Sequence, residues 1–134
     1  MPRENGHPAG SPSDWLAHAH SDFALACSDK PSETLWEDMC FHAQQAAEKS
    51  IKAVLLHRKI PFRFVHDLEE LLTTAQQAGV LISDAVRRSV RLTDYAVHTR
   101  YPADSEPVTE SEYREAIRMA QIVLAWAEKE LQPA

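Results

Sequence analysis

Phe41-His42-Ala43-Gln44-Gln45-Ala46-Ala47-Glu48-Lys49-Ser50-Ile51-Lys52-Ala53-Val54-Leu55 is the stretch on which the reading of this chain turns. It holds no glycine or proline and is rich in alanine, so its backbone preference is helical. Projected at 100° per residue, the helix has two stripes. One carries Trp36, Met39, Cys40, Ala43, Ala47, Ser50, Ile51 and Val54. Its small central residues let a neighbouring helix approach closely, which marks the core face. The other carries Phe41, Gln45, Glu48 and Lys52 and runs into Leu55 and Leu56. Glu48 and Lys52 are four apart in the favourable order for a helix ion pair. This stripe is either a solvated face with one Phe on it or a second contact surface with an aromatic anchor.

The helix spans about 33–59 and stops before Pro61. Upstream, a helix over about 14–28 follows Pro12, with Ser13 as N-cap and Leu16, Ala19, Phe23 and Ala26/Cys27 as its apolar stripe. Asp29-Lys30-Pro31-Ser32 breaks it. Downstream, the connection over 60–65 is unusually aromatic because of Phe62 and Phe64. A short helix over about 68–78 begins at Asp67, with Glu70 placed to complete a capping box, and Gly79 suits its end. A fourth helix starts after Ser83 and fades before Pro102. A fifth covers about 110–131 behind the capping box Thr109-x-x-Glu112. The pattern predicts an all-α domain, an up-and-down antiparallel bundle of four main helices plus one short helix over 13–131. Residues 1–12, rich in Pro, Gly and polar side chains, read as a disordered tail.

At 134 residues one core is expected, and no disulfide or metal is needed to hold it. Cys27 and Cys40 read as buried free thiols of a reducing compartment. No apolar run is long enough to span a bilayer, and the first residues lack a hydrophobic signal region. A cytoplasmic protein with no membrane association is the expectation. A net charge of −6 argues against a general nucleic-acid coat but leaves room for a local basic patch.

The fourth helix supplies that patch. Taken as a continuous α-helix, it places Val86, Val90, Thr93 and Val97 on a core face. Arg88, Arg91, Tyr95 and His98 fall on the other, with Arg100 and Tyr101 just beyond. Arg forks match phosphate geometry and Tyr can stack a base. The same residues also read as a polar face paired with carboxylates, with Arg100 bracing the turn at Pro102. His18 and His20, and likewise Cys40 and His42, are two apart on different helix faces, so no metal site is expected. No glycine-rich phosphate loop and no nucleophile elbow is present, and no cofactor is expected.

The central stretch closely resembles the signature helix of the HEPN family (higher eukaryotes and prokaryotes nucleotide-binding), which typically reads F-H-x-x-Q-A-A-E-K-x-x-K-A. His66-Asp67-Leu68-Glu69-Glu70-Leu71 and Thr99-Arg100-Tyr101-Pro102 resemble two further family segments, in the family's order. The resemblance spans roughly 13–131. It implies a helical bundle that commonly forms homodimers. It also implies the component that accompanies a minimal nucleotidyltransferase, a separate chain, in a toxin–antitoxin-like pair. On that analogy Phe41, Gln45, Glu48 and Lys52 form the partner surface. Arg88, Arg91, Tyr95, Arg100 and Tyr101 meet a nucleotide or RNA phosphate. The alternative is a metal-independent ribonuclease using Arg91 and His98 as catalytic residues, the His as base and the Arg as anion clamp. Six residues separate that pair, a permitted spacing. With nine arginines and seven histidines, however, chance supplies on the order of one such pairing. Leu92 stands where the family's Arg is usually followed by Asn or another polar residue.

Overall fold

The computed structural model describes residues 6–96 and 106–133. Its elements are α1 (Pro12–Cys27), α2 (Trp36–His57), α3 (Leu68–Gln77), α4 (Asp84–Arg87), a 3-10 helix (Arg88–Ala96) and α5 (Glu110–Leu131). The all-α class is as expected from the periodicity.

α2 is the hub, packing against α1, α3, α5 and the 3-10 helix. From Ala43 to Leu55 every side chain is buried except Gln45 and Lys49, which are half-buried. Ala43, Ala46 and Ala47 let neighbours approach from more than one side, and Ile51, Val54 and Leu55 fill the space beyond them. α1 contributes Ala19 and Ala26, α3 contributes Leu68, Leu71, Leu72 and Ala75, and α5 contributes Ala116, Ala120, Val123 and Ala127. The helices are also tied by polar contacts. Tyr113 Oη donates to the Ala26 carbonyl (2.5 Å), His20 pairs with Glu128 (2.7 Å), and Trp126 Nε1 donates to the Leu81 carbonyl (3.3 Å).

Helix ends follow the local chemistry. Ser11, rather than Ser13, caps α1 by accepting the Asp14 N–H, and Pro12 stands in the first turn. The Asp14 carboxylate in turn accepts the Gly10 N–H at 2.9 Å, so residues next to the helix are part of its cap. α2 begins at Trp36, a little later than the periodicity suggests, because Thr34 closes a turn onto the Pro31 carbonyl. Asp67 caps α3 by accepting from the Glu69 N–H. Glu70 does not complete the box; it pairs with Arg63 instead. Gly79 ends α3 at φ +99, with the Val80 N–H reaching the Ala75 carbonyl. The Thr109–Glu112 box is complete, as expected. Of the two cysteines, Cys40 is buried, but Cys27 is exposed at the last position of α1.

The fourth helix differs most from its expected form. After one α-turn, capped by Ser83, the chain tightens into the 3-10 helix. Ser89 donates its hydroxyl to the Val86 carbonyl at 2.6 Å, and Val90, Thr93 and Asp94 are weak helix formers. Thr93 is also held sideways, its hydroxyl accepting the Leu68 N–H at 3.2 Å and so serving the start of α3. The buried set is therefore Val86, Ser89, Leu92 and Ala96, close to the period of three of the tighter helix. Val90 and Thr93, expected in the core, are half-buried.

Candidate functional site

The stripe of α2 opposite its small-residue face carries a polar network. The Glu48 carboxylate accepts from three sides: Gln44 Nε2 at 2.9 Å, His66 Nδ1 at 2.8 Å and Lys52 Nζ at 2.9 Å. Gln45 Nε2 extends the network to Gln44 Oε1 at 2.7 Å. Glu48 and Lys52 are 3% and 4% exposed. The Lys52 ammonium lies 5.8 Å from the Trp15 ring of α1 and 5.8 Å from the Phe64 ring of the α2–α3 loop. Two aromatic faces thus attract a cation that is almost wholly withdrawn from solvent. Burial by itself pushes the Glu48 carboxyl up. The hydrogen bonds from Lys52, Gln44 and His66, with the Lys52 charge, outweigh it and hold the group below its ordinary value.

This network corrects one expectation. Glu48 and Lys52 lie inside the fold rather than on a partner surface, because Trp15 and Phe64 close over that part of α2. Phe41 and Gln45 are half-buried and remain within reach of another molecule. Beside the network, Asp22 joins α1 to α2 by accepting Lys49 Nζ at 2.6 Å and facing His42 Nδ1 at 3.3 Å. A cleft of about 200 Å³ lined by Gly10, Asp14, Trp15, His18 and Lys49 opens on this flank. It is small for a ligand pocket, and both its carboxylate and its ammonium are already engaged. The network had a partial signature, the Glu48/Lys52 spacing. The approach of His66, Trp15 and Phe64 had none, since it depends on how the loop and α1 lie over α2.

Arg88 and Arg91 sit on the 3-10 helix. Residues three apart eclipse one another there, so the two arginines line up on one ridge, more directly in register than the same-face neighbours they would be on an α-helix. Both are exposed, and neither has an ion-pair or hydrogen-bond partner among the described residues. Arg87, by contrast, is bound to α3 through Glu69 at 3.0 Å and Thr73 at 3.3 Å. Tyr95 is half-buried against the core edge. Leu92, next to Arg91, is fully buried, so an apolar residue at that position is a packing requirement. His98, Arg100 and Tyr101 lie outside the described residues. Among those described, no group of three or more His, Cys, Asp and Glu is arranged to hold a metal ion. No helix among them is long and apolar enough to cross a membrane.

With this geometry in place, known proteins supply the decisive comparison. The model of the HEPN domain matches residues 12–131. The chain belongs to the HEPN domain family. Two solved structures share its fold over nearly their whole length. One is TT1696 from Thermus thermophilus, 29% identical, with a TM-score of 0.73 over 90% of this chain and 98% of that one. The other is ST0689, an archaeal HEPN homologue, 26% identical, with a TM-score of 0.74 over 91% of this chain and 98% of that one. No curated protein matches the chain. The family membership accounts for α2 as the signature element: its motif residues Ala46, Ala47, Glu48, Lys52 and Ala53 are buried together, with the motif Gln45 half-buried.

Proposed function

We propose that this HEPN domain binds the phosphate of a nucleotide or of RNA, at Arg88 and Arg91, as a non-catalytic module acting beside a partner. The reading rests on the two eclipsed, exposed arginines that lack any partner among the described residues of an acidic protein. A guanidinium is a planar fork of donors suited to phosphate, and two stacked forks can take one phosphate group or adjacent ones. Tyr95, Arg100 and Tyr101 are proposed to complete the site. The resemblance to HEPN components of nucleotidyltransferase pairs supports a separate nucleotidyltransferase chain as partner, a toxin–antitoxin-like role, a homodimer and a cytoplasmic setting. Phe41 and Gln45 are the α2 residues proposed to face the partner.

Equilibrium titration with AMP tests the ligand claim. Arg88→Ala/Arg91→Ala is expected to weaken binding about tenfold or more, since hydrogen bonds to charged groups are each worth about 1.5–3 kcal/mol. Unchanged affinity reduces the ridge to solvated surface. RNA cleavage by the purified protein, lost in His98→Ala with helicity retained, would replace the module reading with a ribonuclease using Arg91 and His98.

A further inference from the structure

Residues 84–96 change helix type part-way. The Arg88 N–H still reaches the Asp84 carbonyl four residues back, in the α pattern, and from Arg88 nine residues run as a 3-10 helix. Such runs rarely exceed three or four residues, because their hydrogen bonds are poorer than those of an α-helix. No proline or glycine between Arg88 and Ala96 bars the α form. The side chains fit both forms. The period of three buries Ser89 and Leu92 behind Val86 and leaves Val90 and Thr93 half-buried. At 100° per residue the same sequence turns Val90 and Thr93 toward the core with Val86 and Ser89, and moves Leu92 to the edge. Exchanging Leu92 for Val90 changes apolar burial by about one methylene, so packing alone separates the two forms weakly.

Polar contacts tip the balance. Thr93, on the flank of the 3-10 helix, accepts the Leu68 N–H at 3.2 Å, a first-turn donor of α3 that no carbonyl within that helix can reach. Ser89 closes onto the Val86 carbonyl three residues back at 2.6 Å. The α form carries Thr93 toward the core and away from Leu68. It also changes the cationic surface. In the 3-10 form Arg88 and Arg91 stand in line, about 6 Å apart along the axis. In the α form they are about 4.5 Å apart and turned by about 60°. We infer that residues 84–96 are a two-state helix, held in the 3-10 form by Thr93 on Leu68, and that only this form presents the arginine ridge in register for its ligand. The gating rests on the phosphate-binding reading, whereas the helix switch stands apart from it. A ligand that prefers one form draws the population toward it by its difference in affinity.

The test uses the isotope-labelled full chain, with AMP as the probe. Amide relaxation dispersion is expected to show microsecond-to-millisecond exchange over 84–96 and at Leu68 but not within α2 and α5, and saturating AMP is expected to quench it. Thr93→Val keeps the branched shape and removes the acceptor. It is expected to replace the i, i+2 proton contacts of a 3-10 helix by the i, i+4 contacts of an α-helix. AMP should then bind about tenfold more weakly, as when the competent fraction falls to about one-tenth. Thr93→Ser keeps the hydroxyl and restores both. Val90→Thr removes the apolar gain of the α form, so its dispersion falls below that of wild type while AMP affinity stays within about twofold. A folded Thr93→Val chain that keeps the i, i+2 contacts overturns the switch, and so does a wild type without exchange over 84–96. If Thr93→Val does not fold, Val90→Thr decides, and dispersion equal to wild type overturns the switch. AMP affinity unchanged in a Thr93→Val chain that has become α-helical overturns the gating. The phosphate-binding reading fails separately, when Arg88→Ala/Arg91→Ala leaves AMP affinity unchanged, and the proton contacts then still decide the switch.

Discussion

Glu48 shows how one residue sets conditions for its neighbours. A buried ion pair gains little over an apolar pair, because both charges lose their hydration. Removing only one partner is costly, since the other is left buried and uncompensated. Glu48→Gln is therefore expected to destabilise the domain by about 3 kcal/mol near neutral pH, measured by urea denaturation. The sign of the pH dependence follows from the lowered carboxyl value. Glu48 contributes fully above the unfolded carboxyl value of about 4.3, and its contribution is lost as the pH falls through the lower folded value. The stability gap between wild type and Glu48→Gln should be constant above about pH 5 and close at lower pH. A gap of the same size at about pH 3, below the unfolded value, would show that the loss is one of shape, not of charge.

At the scale of elements, the ends of helices carry the clearest consequences. Lys59 closes α2 at φ +58, and the next residue sends its N–H back to the Leu55 carbonyl. This is a left-handed terminus of the kind glycine usually occupies. Lys59→Gly is expected to raise stability by about 0.5–1 kcal/mol, read as a higher midpoint in thermal unfolding, because the side chain's steric cost is relieved. Thr109→Ala removes the side-chain cap of α5 and should lower stability by about 1 kcal/mol in the same measurement. The 3-10 helix makes the opposite point. The cap at Ser83 of α4, which leads into it, and its own weak helix formers were visible in the sequence, but its period was not. Thr93 serves α3, and Leu92 and Ser89 are drawn inward together, which only packing against α2 and α3 brings about. The eclipsing of Arg88 and Arg91 is a product of that packing.

For the whole molecule, α2 is buried along most of its length by α1, α5, the 3-10 helix and the α2–α3 loop. Its amides from Ala43 to Leu55 can open only when the neighbours separate. Hydrogen exchange should find them the slowest in the domain, exchanging through global unfolding, with α4 and the 3-10 helix faster by orders of magnitude. Comparable exchange in the two regions would mean that the bundle opens in parts. Packing of this density also predicts that Ala47→Leu, at a fully buried position between helices, costs about 1–3 kcal/mol or more.

The helical class, the core stripe of α2, the capping at Asp67 and Thr109, and the family were all legible in the residues themselves. They rest on short-range periodicity and local hydrogen bonding, which act within a few residues along the chain. What the opposite stripe of α2 does was open until the chain's path in space was known. Glu48 and Lys52 read equally well as exposed or buried, because an i, i+4 pair has the same spacing in either setting. Trp15 comes from a helix earlier in the chain, and Phe64 and His66 from the loop beyond. Whether they close over the pair depends on how distant segments pack, and they do.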